Sequence, residues 1–505
     1  MYGIILIKFK LLNEGGKFNE SKLRIFIAGI IIVLGGLFLF FVQGQDMPGQ
    51  LPDLSMNQPS DNQSIETEES PLPIPPLLKD KNPDPNKAEF QITAQNSTKE
   101  FIAGKETKTM GYNGDYLGPV IRVRNGEEVS VNVKNNLEGD ITTIHWHGLE
   151  VDGVKDGGPH SGIQPGESWS PEFKIEQPAA TLWFHPHPEQ QTGRQVYNGL
   201  AGLFFIEDEV SDRLDIPKDY GVNDVPLIIQ DKRFNSDGSF EYELGMHDVM
   251  NGLQGNTMLV NGAVNPFLEV PRGMVRLRLL NGSNASVYEL NLSNNQTFYQ
   301  IASDGGFLEK PSEMNNIVLG PAERAEILVD FSDFKKGETV QLLNQGSEFM
   351  KFVIKSESPK EYTIPEKLTT IEKINPDSAV KTRQFVFQGM GPSVNINGKQ
   401  MDMDRIDEQV SLHDTEIWEI SNDSGMGMMG GMAHPFHAHG VQFQILDRDG
   451  NPPPKNETGW KDTILVYPGE KVRAIATFNH SGVFMYHCHI LEHEDAGMMG
   501  QFKVE

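Results

Sequence analysis

From Ala88 onward the chain alternates apolar and polar residues over short runs, each closed by Gly, Asn or Pro. Such runs predict half-buried strands, because successive side chains on an extended backbone point to opposite faces. The clearest stretch runs from Pro119 to Val133: an apolar strand, a turn containing Gly126, then a second alternating strand. Pro266 to Leu280 repeats the plan with its turn at Gly273, and a fainter third copy runs through Val410 to Ile420. Three related β units predict three sandwich domains on one plan. We place them at about 88–210, 218–357 and 380–505. Long helical patterns are scarce, so the expected class is all-β.

Before Ala88 the pattern differs. Residues 1–24 form a basic flank, with Lys8, Lys10, Lys17, Lys22 and Arg24 against Glu14 and Glu20. Ile25 to Val42 follows without a charge, long enough to span a bilayer. Segment 25–43 is therefore read as a transmembrane anchor or a signal segment. A signal peptide has a shorter apolar core, about 7–15 residues, and Val42-Gln43-Gly44 is a weak cleavage site, so the anchor is favoured. The basic flank predicts a cytoplasmic N-terminus and an exported remainder on the extracellular or periplasmic face, attached to the membrane. Residues 44–87 are rich in Pro, Asp, Glu, Ser and Asn and predict a disordered or extended linker.

Composition narrows the partners. A length of 505 residues suits three domains, and 50 Gly with 31 Pro suits many turns. A net charge of −27 without a basic face excludes a nucleic-acid partner, and an acidic surface concentrates cations. One cysteine, Cys488, excludes an internal disulfide. A monomer is expected.

That cysteine carries the chemistry. Cys488, His493 and Met498 lie within eleven residues, and thiolate, imidazole and thioether are ligands of a blue-copper electron-transfer site. On a strand, His487 and His489 face one way and Cys488 the other, so one peptide would join two metal sites. Ten of the fourteen histidines fall in four clusters: His145-Trp146-His147, His185-Pro186-His187, His434-Pro435-Phe436-His437-Ala438-His439, and His487-Cys488-His489 with His493. Each contains two histidines one residue apart, whose rings on an extended strand share a face about 7 Å apart. Two such pairs come from the first domain and two from the third, so eight imidazoles are expected to converge between them. His434 is the remaining nitrogen ligand for the cysteine site. The middle domain offers only His247 and is expected to be structural.

With these motifs the chain resembles the multicopper oxidases, in particular the three-domain bacterial branch of cuprous oxidases, laccases and bilirubin oxidases. The likeness runs from about residue 88 to the C-terminus. Trp146-His147-Gly148-Leu149-Glu150-Val151, Pro178 to His187 and Glu492 to Met499 are nearest to the periplasmic cuprous oxidases. The resemblance implies three cupredoxin-like Greek-key β-sandwich domains and four coppers. It implies type 1 copper on His434, Cys488, His493 and Met498, and type 2 copper on His145 and His437. A type 3 pair would sit on His147, His185, His187, His439, His487 and His489. One-electron oxidation of a reductant at type 1 copper, relayed through Cys488, would feed four-electron reduction of dioxygen to water at the other three. Asp156 and Glu494 are the implied proton donors.

The reductant is expected to be Cu(I), a phenol or an aromatic amine. Met426, Met428, Met429 and Met432 precede His434, and thioethers suit Cu(I). The long Met/His-rich insertion of the cuprous oxidases is missing, however, and Gly430 stands where they carry an acidic Cu(I) ligand. Two other readings stand beside this one. A copper-free cell-division scaffold of the same family would lack ligands that are complete here. A copper nitrite reductase would lack the paired type 3 histidines.

Overall fold

The computed structural model describes residues 69–358, 360–423 and 431–505. The segment expected to enter the membrane at 25–43 lies outside them, as do Met428 and Met429. Among the described residues no helix is long and apolar enough to cross a membrane, and no α-helix exceeds six residues.

The fold is three β-sandwiches, and the three pattern repeats explain how each closes. In every copy the two strands of the repeat enter opposite sheets. The first strand pairs in parallel with the last strand of its sandwich: Ile121–Arg124 with Gly202–Glu207, Phe267–Arg272 with Ser347–Glu357, and Glu408–Val410 with Met499–Val504. The second pairs in parallel with the first long strand: Glu128–Asn136 with Lys87–Ile102, Met274–Asn281 with Asp224–Lys232, and Thr415–Asn422 with Lys381–Gln388. The turn between them therefore carries the chain across the sandwich. Inward positions on both sheets meet as one apolar core, as alternation requires. Phe90, Val131 and Phe204 lie in the first core, Leu277, Ile327 and Phe352 in the second, and Trp418, Phe436 and Phe502 in the third.

A further apolar cluster joins the first two sandwiches, with Phe101, Val120 and Trp183 packed with Ile228, Leu259 and Leu280. Residues 69–87, assigned by composition to a linker, are packed rather than free. Leu72 N–H donates to Phe267 O and Leu78 N–H to Val120 O, while Asn261 donates to Pro73 O and Tyr220 to Pro75 O. Proline lacks an N–H and favours extended backbone, so this run offers carbonyls to both sandwiches without forming a sheet.

Candidate metal centre

Strand pairing brings the histidines together. His145–His147 pairs antiparallel with Ala180–His185, setting His145 opposite His185 and His147 opposite Trp183. His434–Ala438 pairs antiparallel with Gly482–Cys488, setting Phe436 opposite Cys488 and His437 opposite His487. The alternation of faces divides the second pair of strands. His437, His439, His487 and His489 point to one side; His434 and Cys488 point to the other.

On the first side eight imidazoles converge from the first and third sandwiches, all buried. His145 Nε2 lies 3.4 Å from His437 Nε2. His187 Nε2 and His439 Nε2 each lie 3.2 Å from His487 Nε2. His147 Nδ1 lies 3.3 Å from His185 Nε2, and the ring of His489 sits 5.1 Å from that of His147 and 5.3 Å from that of His185. Rings of the four paired motifs are 5.1–6.0 Å apart, closer than two strand rises. The pairs tilt inward toward shared points instead of standing square to the sheet.

Several outward nitrogens are held. His145 Nδ1 bonds Asp156 O, His185 Nδ1 bonds Pro186 O, and His437 Nδ1 bonds Asp462 O. Asp156 Oδ2 takes His439 Nδ1 at 2.8 Å and lies 3.3 Å from His145 Nδ1, while its Oδ1 has no partner. Glu494 places Oε2 3.1 Å from His487 Nδ1 and Oε1 3.4 Å from His187 Nδ1. Burial would raise the pKa of Glu494, but attraction to the His187 and His487 rings against it outweighs burial and holds the carboxyl well below the usual range. Both predicted proton donors therefore face the cluster.

On the other side, His434 Nδ1 is 3.2 Å from Cys488 Sγ, and His434, Cys488 and His493 bring their ligand atoms within 4.8 Å of one another. Met498 is buried in the same core, and its carbonyl accepts from Cys488 N–H. Met432 is partly buried against that core, and its carbonyl accepts from Asn422. His493 Nε2–H donates to Met250 O at 3.1 Å, from the short helix Met246–Asn251 of the second sandwich. That sandwich is therefore more than a spacer, although His247 itself is exposed.

The donor set fits metals. Burial drives His147, His185, His434, His437 and His439 well below the ordinary imidazole value, His187 and His489 down to about 3, and His493 down to about 4. The rings just named are neutral at pH 7, as coordination requires. Neither ring nitrogen of His489 has a hydrogen-bond partner, nor does His493 Nδ1. Leaving such buried atoms unsatisfied costs about 1–3 kcal/mol each, which a bound cation would relieve. Burial also pushes the Cys488 thiol up, so a metal taken there displaces its proton.

Sequence signatures described as multicopper oxidase match residues 93–211 and 365–505. Multicopper oxidase mco of Staphylococcus aureus is 43% identical over 433 residues, which are 86% of this chain and 92% of that protein. The chain belongs to the multicopper oxidase family. A laccase from Pediococcus acidilactici superposes with a TM-score of 0.84 at 42% identity, covering 87% of this chain and 95% of the laccase. Cell division protein FtsP of Escherichia coli K12 is also similar, 35% identical over 459 residues, 86% of this chain and 93% of its own. As a multicopper oxidase, the chain is a copper-dependent oxidoreductase that uses dioxygen as acceptor.

Two participants were invisible to sequence reasoning. Asp462 touches His147 and His437, and Arg324 grips Asp462. Lys461-Asp462 ahead of the apolar strand Thr463–Val466 reads as a solvated turn, and an Arg on an alternating strand reads as surface. Neither carries a local signal of its partner.

Proposed function

We propose that the chain binds four coppers and couples one-electron oxidation of Cu(I), phenols or aromatic amines to the reduction of dioxygen to water. The observation that carries this reading is the pair of donor clusters on opposite faces of one strand, joined through Cys488. His434, Cys488, His493 and Met498 would hold type 1 copper, and His145 with His437 type 2. Two triads would hold the type 3 pair: His187, His439 and His487, and His147, His185 and His489. This division follows the facing nitrogens of His187, His439 and His487 and of His147 with His185, and the His489 ring lying beside the latter two. Bound copper would supply the one-electron redox change and the place where dioxygen is reduced.

The protein's own part is positional and protonic. The backbone from Cys488 to His487 and His489 gives the shortest covalent route between the clusters. Asp156, with Oδ1 unbonded, can take up a proton from solvent and pass it toward the cluster beside His439 Nδ1. Glu494, ionised between His187 and His487, can receive one and pass it on. Burial of every ligand imidazole excludes bulk water from the cluster.

The FtsP likeness favours a scaffold in the cell envelope as the second reading. Complete donor sets at all twelve positions support the oxidase. Copper analysis of the metal-loaded chain separates them: four coppers and a blue colour are expected, and no copper with no blue colour would leave the scaffold. Side-by-side turnover of Cu(I), a phenol and bilirubin then ranks the reductants, with Met432, packed against the Cys488 core, as the ligand for substrate Cu(I). We further propose export and membrane attachment through segment 25–43, which cell fractionation of the full chain would test.

A further inference from the structure

Arg324 is fully buried and spends all five of its N–H donors. Nε–H goes to Thr181 O at 3.2 Å, in the strand that ends at His185. Nη1 donates to Ala322 O at 2.9 Å and to Asp462 Oδ1 at 2.7 Å. Nη2 donates to Asp304 O at 3.1 Å and to Asp462 Oδ2 at 2.5 Å. Thr181 belongs to the first sandwich, Ala322 and Asp304 to the second, and Asp462 to the third. One guanidinium therefore stands where the three sandwiches meet.

Asp462 is fixed by this fork and by Thr463 and Gln442, which donate to Oδ1 and Oδ2 at 2.9 Å each. Its Oδ1 accepts His147 Nε2–H at 3.0 Å. With Nε2 so occupied, His147 presents Nδ1 to the cluster. The other cluster histidines whose contacts fix an orientation present Nε2. The inverted ring needs an acceptor behind it, and Asp462 is that acceptor. Asp462 is not spare as a ligand itself, because both oxygens already hold Arg324. The motif around His147 makes room for the pair: Gly148 sits at φ +92°, and a Cβ there would lie 2.6 Å from Asp462 Oδ2 and 2.8 Å from Arg324 Nη2. The pair is thus built against the histidine motif itself.

We propose that Arg324 is a positioning residue: through Asp462 it sets which nitrogen His147 offers, so the second sandwich, which gives no ligand, controls assembly of the eight-histidine copper cluster. The inference rests on the copper reading above. A planar bidentate fork orients a carboxylate as an ammonium cannot, and partners behind ligand histidines govern metal affinity.

Two variants test it. Arg324→Lys keeps the buried charge and loses the fork. The double variant Arg324→Met with Asp462→Leu replaces the ion pair by apolar side chains of similar bulk, an exchange that buried pairs tolerate. Each is copper-loaded and titrated with a copper chelator, reading copper per chain, the blue absorption of the cysteine site and the electron paramagnetic resonance of type 2 copper. In both, the blue absorption should persist while the cluster coppers bind about 10–100-fold more weakly and the type 2 signal changes. Wild-type affinity for all coppers in either variant would overturn the proposal. So would parallel loss of blue and cluster coppers, or failure of both variants to fold, since each marks a structural tie alone. A wild-type chain that takes up no copper would instead sink the copper reading, however the variants behave.

Discussion

Cys488 and Asp156 show how much a single side chain carries here. Cys488 is the one thiol in the chain, and its Sγ lies 3.2 Å from His434 Nδ1. Replacing it by Ser removes the thiolate ligand while leaving His487 and His489 on either side of it. The variant should bind no type 1 copper and show no blue absorption, yet still take up copper at the eight imidazoles, a difference that metal analysis and optical spectroscopy read together. Asp156 holds His439 and lies beside His145 through one oxygen and leaves the other free. Asp156→Asn keeps an acceptor for His439 but has no carboxyl proton to move. Stopped-flow measurements should find reduction of the blue site by substrate unchanged and reoxidation by dioxygen slowed about 10–100-fold. Equal slowing of both half-reactions would remove Asp156 from proton delivery.

At the scale of elements, the centre depends on how strands and short turns end. Asp156 closes the four-residue helix Gly153–Asp156, and Gly157 ends it in the left-handed region at φ 83° and ψ 19°. A Cβ at Gly157 would fall 1.7 Å from Ile144 O, next to His145. Any side chain there must push the turn away from the strand that carries His145 and His147. Gly157→Ala should cost more than about 1 kcal/mol from the backbone conformation alone, measured as a lower midpoint in denaturant. It should also slow dioxygen reduction by moving Asp156. A wild-type rate in a destabilised variant would separate the turn from the chemistry.

At the scale of the whole molecule, the buried imidazoles link stability to pH and to metal. Burial sets His187 and His489 at about 3 and His493 at about 4 in the folded metal-free chain, against 6.5 as the ordinary value. Between those values and 6.5 the unfolded chain binds more protons than the folded one, so stability falls as pH falls through this window. Each such ring contributes on the order of 2 kcal/mol of loss by pH 5. Glu494, held low by the same cluster, adds to the loss under stronger acid. Denaturant titrations of the metal-free chain at pH 7 and pH 5 should show a large drop, and flat stability would contradict neutral buried rings. The imidazoles converge only in the folded chain, so copper loading should raise the melting temperature and blunt the acid sensitivity.

The alternating runs determined much of this protein by themselves. Side-chain alternation is local, so the repeats at Pro119, Pro266 and Val410 were legible as strand pairs. The same rule put His487 and His489 on the face opposite Cys488. Donor chemistry is local too, so thiolate, imidazole and thioether named the metal before any fold was known. Tertiary structure alone decided what lies behind the ligands. Arg324 and Asp462 are 138 residues apart, and Asp462 meets His147 across 315. Neither pairing leaves a periodic trace in its own strand. Met250 O reaches His493 from a helix whose single histidine points away into solvent. Proline-rich residues 69–87, whose composition suits a free tether, are fixed because neighbouring strand edges offer N–H groups to their carbonyls. Local pattern fixes which face a side chain takes; only the packing of three sandwiches fixes what it meets there.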